Sequence, residues 1–243
     1  MVVIFYSEDL TSELKKGLHA VARNRTRYLA LLTTLSLLTP GVALAGPDDG
    51  KAIATQTHVD SPKTFWDGDN FVLKSEHNST TTALDETVAW IGKGWARGGH
   101  NQYQFTLPED DSFNFIGKPG ETYYTAPFNA SDAHDPIWLG FGADAGLPVN
   151  DFRDEYASLD IVSVEGPGDF ELFNYHNSPT GLRRMLGTTP SSAHSAVLDA
   201  GTHTHNYTLF TKPGRYEVTY RTTARKKDGT LVASEPTTTS LPV

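Results

Sequence analysis

Short segments of alternating polarity, punctuated by Gly, Pro, Asp and Asn, recur along this chain, and the clearest lies near its end. From Arg215 to Thr223, Tyr216, Val218 and Tyr220 fall on one side, while Arg215, Glu217, Thr219 and Arg221 fall on the other. Successive strand side chains point to opposite faces, so this is the pattern of a half-buried strand. Pro213-Gly214 just before it suits the centre of a type II turn, where Pro pre-sets φ and Gly accepts a positive φ. Ahead of the turn, His203-Thr204-His205 leads into a further strand and puts two imidazoles on one face. Two imidazoles so placed can reach a single metal ion.

The same punctuation organises the preceding chain. Ala52 to Val59 reads as a strand, and Thr64-Phe65-Trp66 and Phe71 to Lys74 read as a hairpin around Asp67-Gly68-Asp69-Asn70. Ser75 to Asp85 is polar and reads as a loop, Glu86 to Ile91 as a strand, and glycine-rich Gly92 to His100 as a loop or bent edge. Tyr103 to Leu107 alternates. Ser112 to Ile116 and Thr122 to Thr125 flank a Pro119-Gly120 turn. Ile137 to Gly142 is an apolar run whose glycines predict a close backbone approach or a bulge. Leu147 to Tyr156 is irregular. Leu159 to Glu165 and Asp169 to Asn174 flank Gly166-Pro167-Gly168, and Leu231 to Leu241 forms a last strand after Asp228-Gly229. No segment carries a sustained helical period. The expected fold is all-β: one immunoglobulin-like β-sandwich over residues 46–243, elaborated with long loops between Ser75 and Pro136. Two smaller sandwiches are the alternative.

Residues 1–45 read as a signal peptide. A basic lead (Lys15, Lys16, Arg23, Arg25, Arg27) precedes an apolar run from Tyr28 to Val42, and Ala43-Leu44-Ala45 is a small-x-small cleavage signal before Gly46. An uncleaved anchor is the alternative, disfavoured by Pro40-Gly41. The leader holds five of the 20 basic and three of the 29 acidic residues, so the expected mature chain has a net charge of −11. Such a surface does not suit nucleic acid or anionic lipid, whose phosphates need Lys and Arg. No later apolar run is long enough to span a membrane. The absence of cysteine excludes disulfides, thiolate metal sites and a cysteine nucleophile. The expectation is a secreted or cell-surface protein.

His-x-His followed by Phe210-Thr211-x-Pro213-Gly214-x-Tyr216 resembles the hallmark of the actinobacterial surface-anchored protein domain, also called the choice-of-anchor M domain. The family's Asn-Trp ahead of Phe-Thr is replaced here by Tyr207 and Thr208. His58-Val59-Asp60 resembles the family's opening His-x-Asp, Trp66 to Lys74 its first hairpin, and Pro136 to Phe141 its Trp-x-Gly-Trp-like segment. Val164 to Phe173 resembles its Gly-Pro-Gly-x-Phe-x-Leu-Phe segment. The likeness implies a surface protein associated with metal-uptake transporters, with zinc or a similar divalent metal as its natural ligand.

Without cysteine, a zinc site must draw on imidazole and carboxylate. His203 and His205 supply two ligands, and His58 is the expected third, because first and late strands commonly meet in sandwiches and His58 opens a family-like segment. Asp60 lies on the same face as His58 and is either a ligand or a hydrogen-bond acceptor for one; water or a partner's side chain could equally complete the site. The plainer reading makes all of these polar strand residues. Asp132, His134 and Asp135 form a weaker cluster that reads as a solvated turn. No catalytic motif is present: there is no Gly-x-Ser-x-Gly elbow, no His-Glu-x-x-His and no phosphate loop, so the expectation is not an enzyme. Trp66, Trp90, Trp95 and Trp138 could stack on sugars, or on haem with Tyr123 or Tyr124 as iron ligand, but aromatics at strand positions are more often core. The expected function is divalent-metal binding at the cell surface in support of a metal-uptake system. A structural or adhesive module, or a carbohydrate-binding module, is the alternative.

Overall fold

Turn residues cut the chain into strands of two to 11 residues, and these assemble into three main sheets in a sandwich-like arrangement. The computed structural model describes residues 45–91, 96–97, 100–101, 103–129, 137–176 and 181–243. The expected leader up to residue 44, Trp95 and the Asp132/His134/Asp135 cluster lie outside the described residues. Asp48–Val243 forms one compact unit. Sheet I runs in the order β1 (Ala52–Ala54), β5 (Thr87–Ala89), β19 (Thr237–Pro242), β17 (Arg215–Arg225), β11 (Ala157–Glu165), β14 (Ser195–Leu198), with β18 (Leu231–Ala233) also on β17. Sheet II runs β15 (His203–His205), β10 (Ile137–Ala143), β2 (Thr57–Trp66), β3 (Phe71–His77), β4 (Thr80–Ala83). Sheet III runs β13 (Arg183–Gly187), β12 (Phe170–Asn174), β16 (Tyr207–Phe210), β9 (Thr122–Ala126), β8 (Gln104–Thr106). A separate pair joins β6 (Ala96–Arg97) to β7 (His100–Asn101). Described helical segments are three-residue 3-10 turns at Leu84–Glu86, Asp111–Phe113 and Val149–Asp151. Among the described residues no helix is long and apolar enough to cross a membrane. An immunoglobulin sandwich has two antiparallel sheets. Here there are three, and β1/β5, β5/β19 and β2/β10 pair in parallel.

Several local expectations hold. The Asp67–Asn70 turn closes the β2–β3 hairpin, with Asp67 Oδ1 accepting from the backbone N–H of Asp69 and Asn70. β17 alternates as its sequence dictates, with Tyr216, Val218 and Tyr220 buried. Others fail for identifiable reasons. The expected loop from Ser75 onward is instead the end of β3, a tight turn with positive φ at Asn78 and Ser79, and β4. Three consecutive threonines in β4 offer no apolar contrast from which to read a strand. The expected strand at Ser112 to Ile116 is a 3-10 turn, because the Asp110 carboxylate accepts from Ser112 N–H (2.9 Å) and caps it. Thr57, at φ +67, breaks the first expected strand into β1 and β2.

Two of the Pro/Gly turns do not close hairpins. Gly166-Pro167-Gly168 carries the chain from sheet I to sheet III, and Pro213-Gly214 carries it back. The two crossings interlock. A Cβ at Gly166 would run into the Tyr216 ring, and one at Gly214 (φ +141) would come within 2.8 Å of Pro167 Cγ. The Tyr216 ring is fully buried, and its hydroxyl donates to Lys212 O (2.8 Å). Residues of all three sheets meet in the main core, among them Val59 and Leu139 from sheet II, Leu159 and Val218 from sheet I, and Leu172 and Phe210 from sheet III. The opposite face of sheet III is covered by a smaller cluster of Leu107, Phe113, Phe173 and Leu209.

The interlock predicts that Gly166→Ala and Gly214→Ala each lower stability by about 1–3 kcal/mol, the range for overpacking a tight contact. Urea unfolding should show a lower midpoint at unchanged slope. Wild-type midpoints in both variants would contradict this packing.

Candidate metal centre

β10 places the site. Its odd-numbered residues, Ile137, Leu139, Phe141 and Ala143, are buried in the main core, so Trp138, Gly140 and Gly142 point from the other face. Trp138 lies opposite His58 on β2. Gly140 lies opposite Asp60 on β2 and also opposite His205 on β15, and Gly142 lies opposite His203. β2 and β15 are therefore separated by one strand, roughly 9.5 Å at ordinary strand spacing. A side chain at residue 140 would stand between the ligands. A Cβ there would meet Thr204 O and lie 2.8 Å from His205 Nδ1, and one at Gly142 would meet Thr202 O. Both glycines thus make the close approach read from the sequence, and the missing side chains let Asp60 and the histidines meet above β10.

The four side chains singled out by sequence come together. His203 Nε2 lies 3.0 Å from His58 Nε2 and 2.9 Å from His205 Nε2. Asp60 Oδ1 lies 3.8 Å from His58 Nε2 and 3.9 Å from His205 Nε2. One potential ligand atom from each residue lies within 4.8 Å of all the others, a group that could hold a metal ion. Bonds of about 2.0–2.1 Å to zinc give a tetrahedron with edges of ~3.3 Å, inside the span of these separations.

Asp60 is wholly buried at the base of the group. Its Oδ2 accepts from His203 Nδ1 (3.1 Å) and from Lys63 Nζ (3.3 Å). Its Oδ1, facing the imidazoles, has no hydrogen-bond partner. A carboxylate oxygen can only accept, so the first contact requires the proton on His203 Nδ1, which in the neutral ring leaves a lone pair on Nε2. That single lone pair cannot accept in line from both neighbouring Nε2 atoms. A cation would engage three imidazole lone pairs and the orphaned carboxylate oxygen together. Burying such an oxygen without a partner is otherwise costly.

Two aromatic and ionic neighbours complete the surroundings. Trp138 stacks on His205 (centroids 3.8 Å apart, planes at 17°), meets His58 edge-on (5.4 Å), and anchors its Nε1 on Phe128 O (3.0 Å). Trp138 read as core or as a sugar platform in the sequence; it instead fixes the ring of a candidate ligand. Trp66 does pack in the core region, against Phe71 and Phe152. Lys63 bridges Asp60 and Glu76 (3.1 Å). Burial opposes its charge, but the hydrogen bond to Glu76 and the field of Asp60 outweigh it and raise its pKa. No local pattern pointed to Lys63. It shares Asp60's face only because β2 carries an extra residue between them, shifting the register against β10 and β3.

His77 and His176 stay apart from the cluster. His77 contacts Thr57, Asn78 and Gln56 O at the end of β3, and His176 packs edge-on against Phe128. Within the cluster, exposure is graded. The His205 side chain is 6% exposed, His58 32% and His203 44%, so the site has a buried base and an open rim. Searches of protein-family models, curated proteins and solved structures return no match to this chain.

Burial, followed by repulsion from His58 and His203, pushes the His205 pKa from its ordinary 6.5 down to about 4. In the metal-free protein, His205 therefore binds a proton in the unfolded chain at a pH where the folded chain does not. Stability should fall as pH drops from 6.5 toward 4. His205→Gln should flatten this part of the profile in chemical denaturation. An unchanged profile would contradict the burial argument.

Proposed function

We propose that His58, Asp60, His203 and His205 bind one divalent metal ion, zinc in the first instance, in a secreted, cell-surface and non-enzymatic protein that supports metal acquisition. The observation that carries this reading is the fully buried Asp60 Oδ1, unpartnered and facing the Nε2 atoms of His58 and His205, with His203 Nε2 beside both. Three nitrogens and one oxygen without thiolate suit zinc among the divalent metals. Four protein ligands would close the tetrahedron and leave no position for a reactive water, which favours binding and transfer over catalysis. The open rim at His203 and His58 gives a metal an approach from solvent. The resemblance to the choice-of-anchor M domain supports the surface location and the link to uptake, and the signal-peptide pattern of residues 1–45 supports export. The immunoglobulin-like kinship of the sandwich belongs to the same proposal.

Zinc titrated calorimetrically into tag-free protein should bind at one per chain and raise the melting temperature, since a ligand of the native state stabilises by mass action. His203→Ala/His205→Ala should abolish both effects, whereas His77→Ala and His194→Ala should leave them intact. Wild-type zinc affinity in the double variant would overturn the reading and leave a structural surface module.

A further inference from the structure

We propose that Lys63 sets the selectivity of this site for tetrahedral metal ions by holding Asp60 to one-oxygen coordination. The inference rests on the metal-binding reading above and concerns how that site discriminates. Asp60 has two oxygens, and the surrounding residues treat them differently. Oδ2 is taken up by Lys63 Nζ and His203 Nδ1, while Oδ1 alone faces the His58 and His205 nitrogens. A carboxylate so divided offers a metal one donor. With three imidazoles the total is four, the number zinc prefers in closed sites. If the carboxylate were free to turn, both oxygens could bind and the coordination number would rise. That change would favour ions such as Mn²⁺ that take more and harder oxygen ligands.

Lys63 is built for this task. Its side chain is 14% exposed, and its ammonium group is fixed between two carboxylates, Asp60 at 3.3 Å and Glu76 at 3.1 Å. The extra residue in β2 turns it onto the ligand face opposite Gly142, where no side chain competes for the space. Its contact is with Oδ2, the oxygen that also accepts from His203 Nδ1, so it orients the ligand and leaves Oδ1 free for the metal. Partners behind metal ligands commonly change affinity by about 10–100-fold when removed.

The test uses the full chain loaded with Co²⁺, whose d–d absorption is intense in tetrahedral sites and weak at higher coordination number. Wild type should give the intense tetrahedral bands. Lys63→Met should weaken them, lower zinc affinity by about 10–100-fold and leave Mn²⁺ affinity unchanged or higher, so that zinc/manganese discrimination narrows. Lys63→Arg, which keeps the charge, should restore most of the spectrum. Glu76→Gln, which frees Lys63 from the far side, should move it in the same direction as Lys63→Met, and serves if Lys63→Met does not fold. A Lys63→Met or Glu76→Gln protein with the wild-type cobalt spectrum and the wild-type zinc-to-manganese ratio would overturn the inference while leaving the metal site standing. A wild-type chain that binds neither Co²⁺ nor Zn²⁺ would overturn both.

Discussion

Everything at the site depends on the absence of a side chain at Gly140. The residue lies in the middle strand of three, with Asp60 beside it on one flank and His205 on the other. Any Cβ there would collide with Thr204 O and press on the His205 ring. A carboxylate from β2 and an imidazole from β15 can converge only because the central strand contributes backbone alone. Gly142 repeats the device one step along, under His203. The strand's other face is fully committed to the core through Ile137, Leu139, Phe141 and Ala143. The same seven residues therefore anchor sheet II and clear the floor of the site.

The electrostatics follow from that geometry. A carboxylate with no exposed surface is expensive to bury unless its oxygens are engaged. Lys63 and His203 engage one oxygen of Asp60, and the other is left unpartnered, facing the Nε2 atoms of His58 and His205. Burial that holds His205 neutral to about pH 4 keeps its lone pair available across the physiological range. Trp138, stacked on the same ring, limits its rotation. The group is thus organised before any ion arrives.

Much of this could be read from the chain, and the part that could not has a common cause. His203 and His205 share a face because strand side chains repeat every two residues, and the same rule joins Asp60 to His58. Gly140 and Gly142 announced a close approach, though not what would approach. Lys63 was hidden because it lies three residues from Asp60, which in a regular strand puts it on the opposite face; only the extra residue in β2 reverses this. β17 was legible from its alternation and β10 from its apolar run, but sheet membership was not. Gly166-Pro167-Gly168 and Pro213-Gly214 look like hairpin turns in sequence, yet they carry the chain between sheets, because pairing is decided by distant contacts such as Gly166 and Gly214 locking around Tyr216 and Pro167.

The most direct test of the central claim is zinc-edge X-ray absorption of the tag-free protein loaded with one equivalent of zinc. The account predicts a first shell of four nitrogen and oxygen donors at about 2.0–2.1 Å, with the outer-shell scattering of three imidazoles. A six-coordinate shell, fewer than three imidazoles, or a protein that retains no zinc would contradict it.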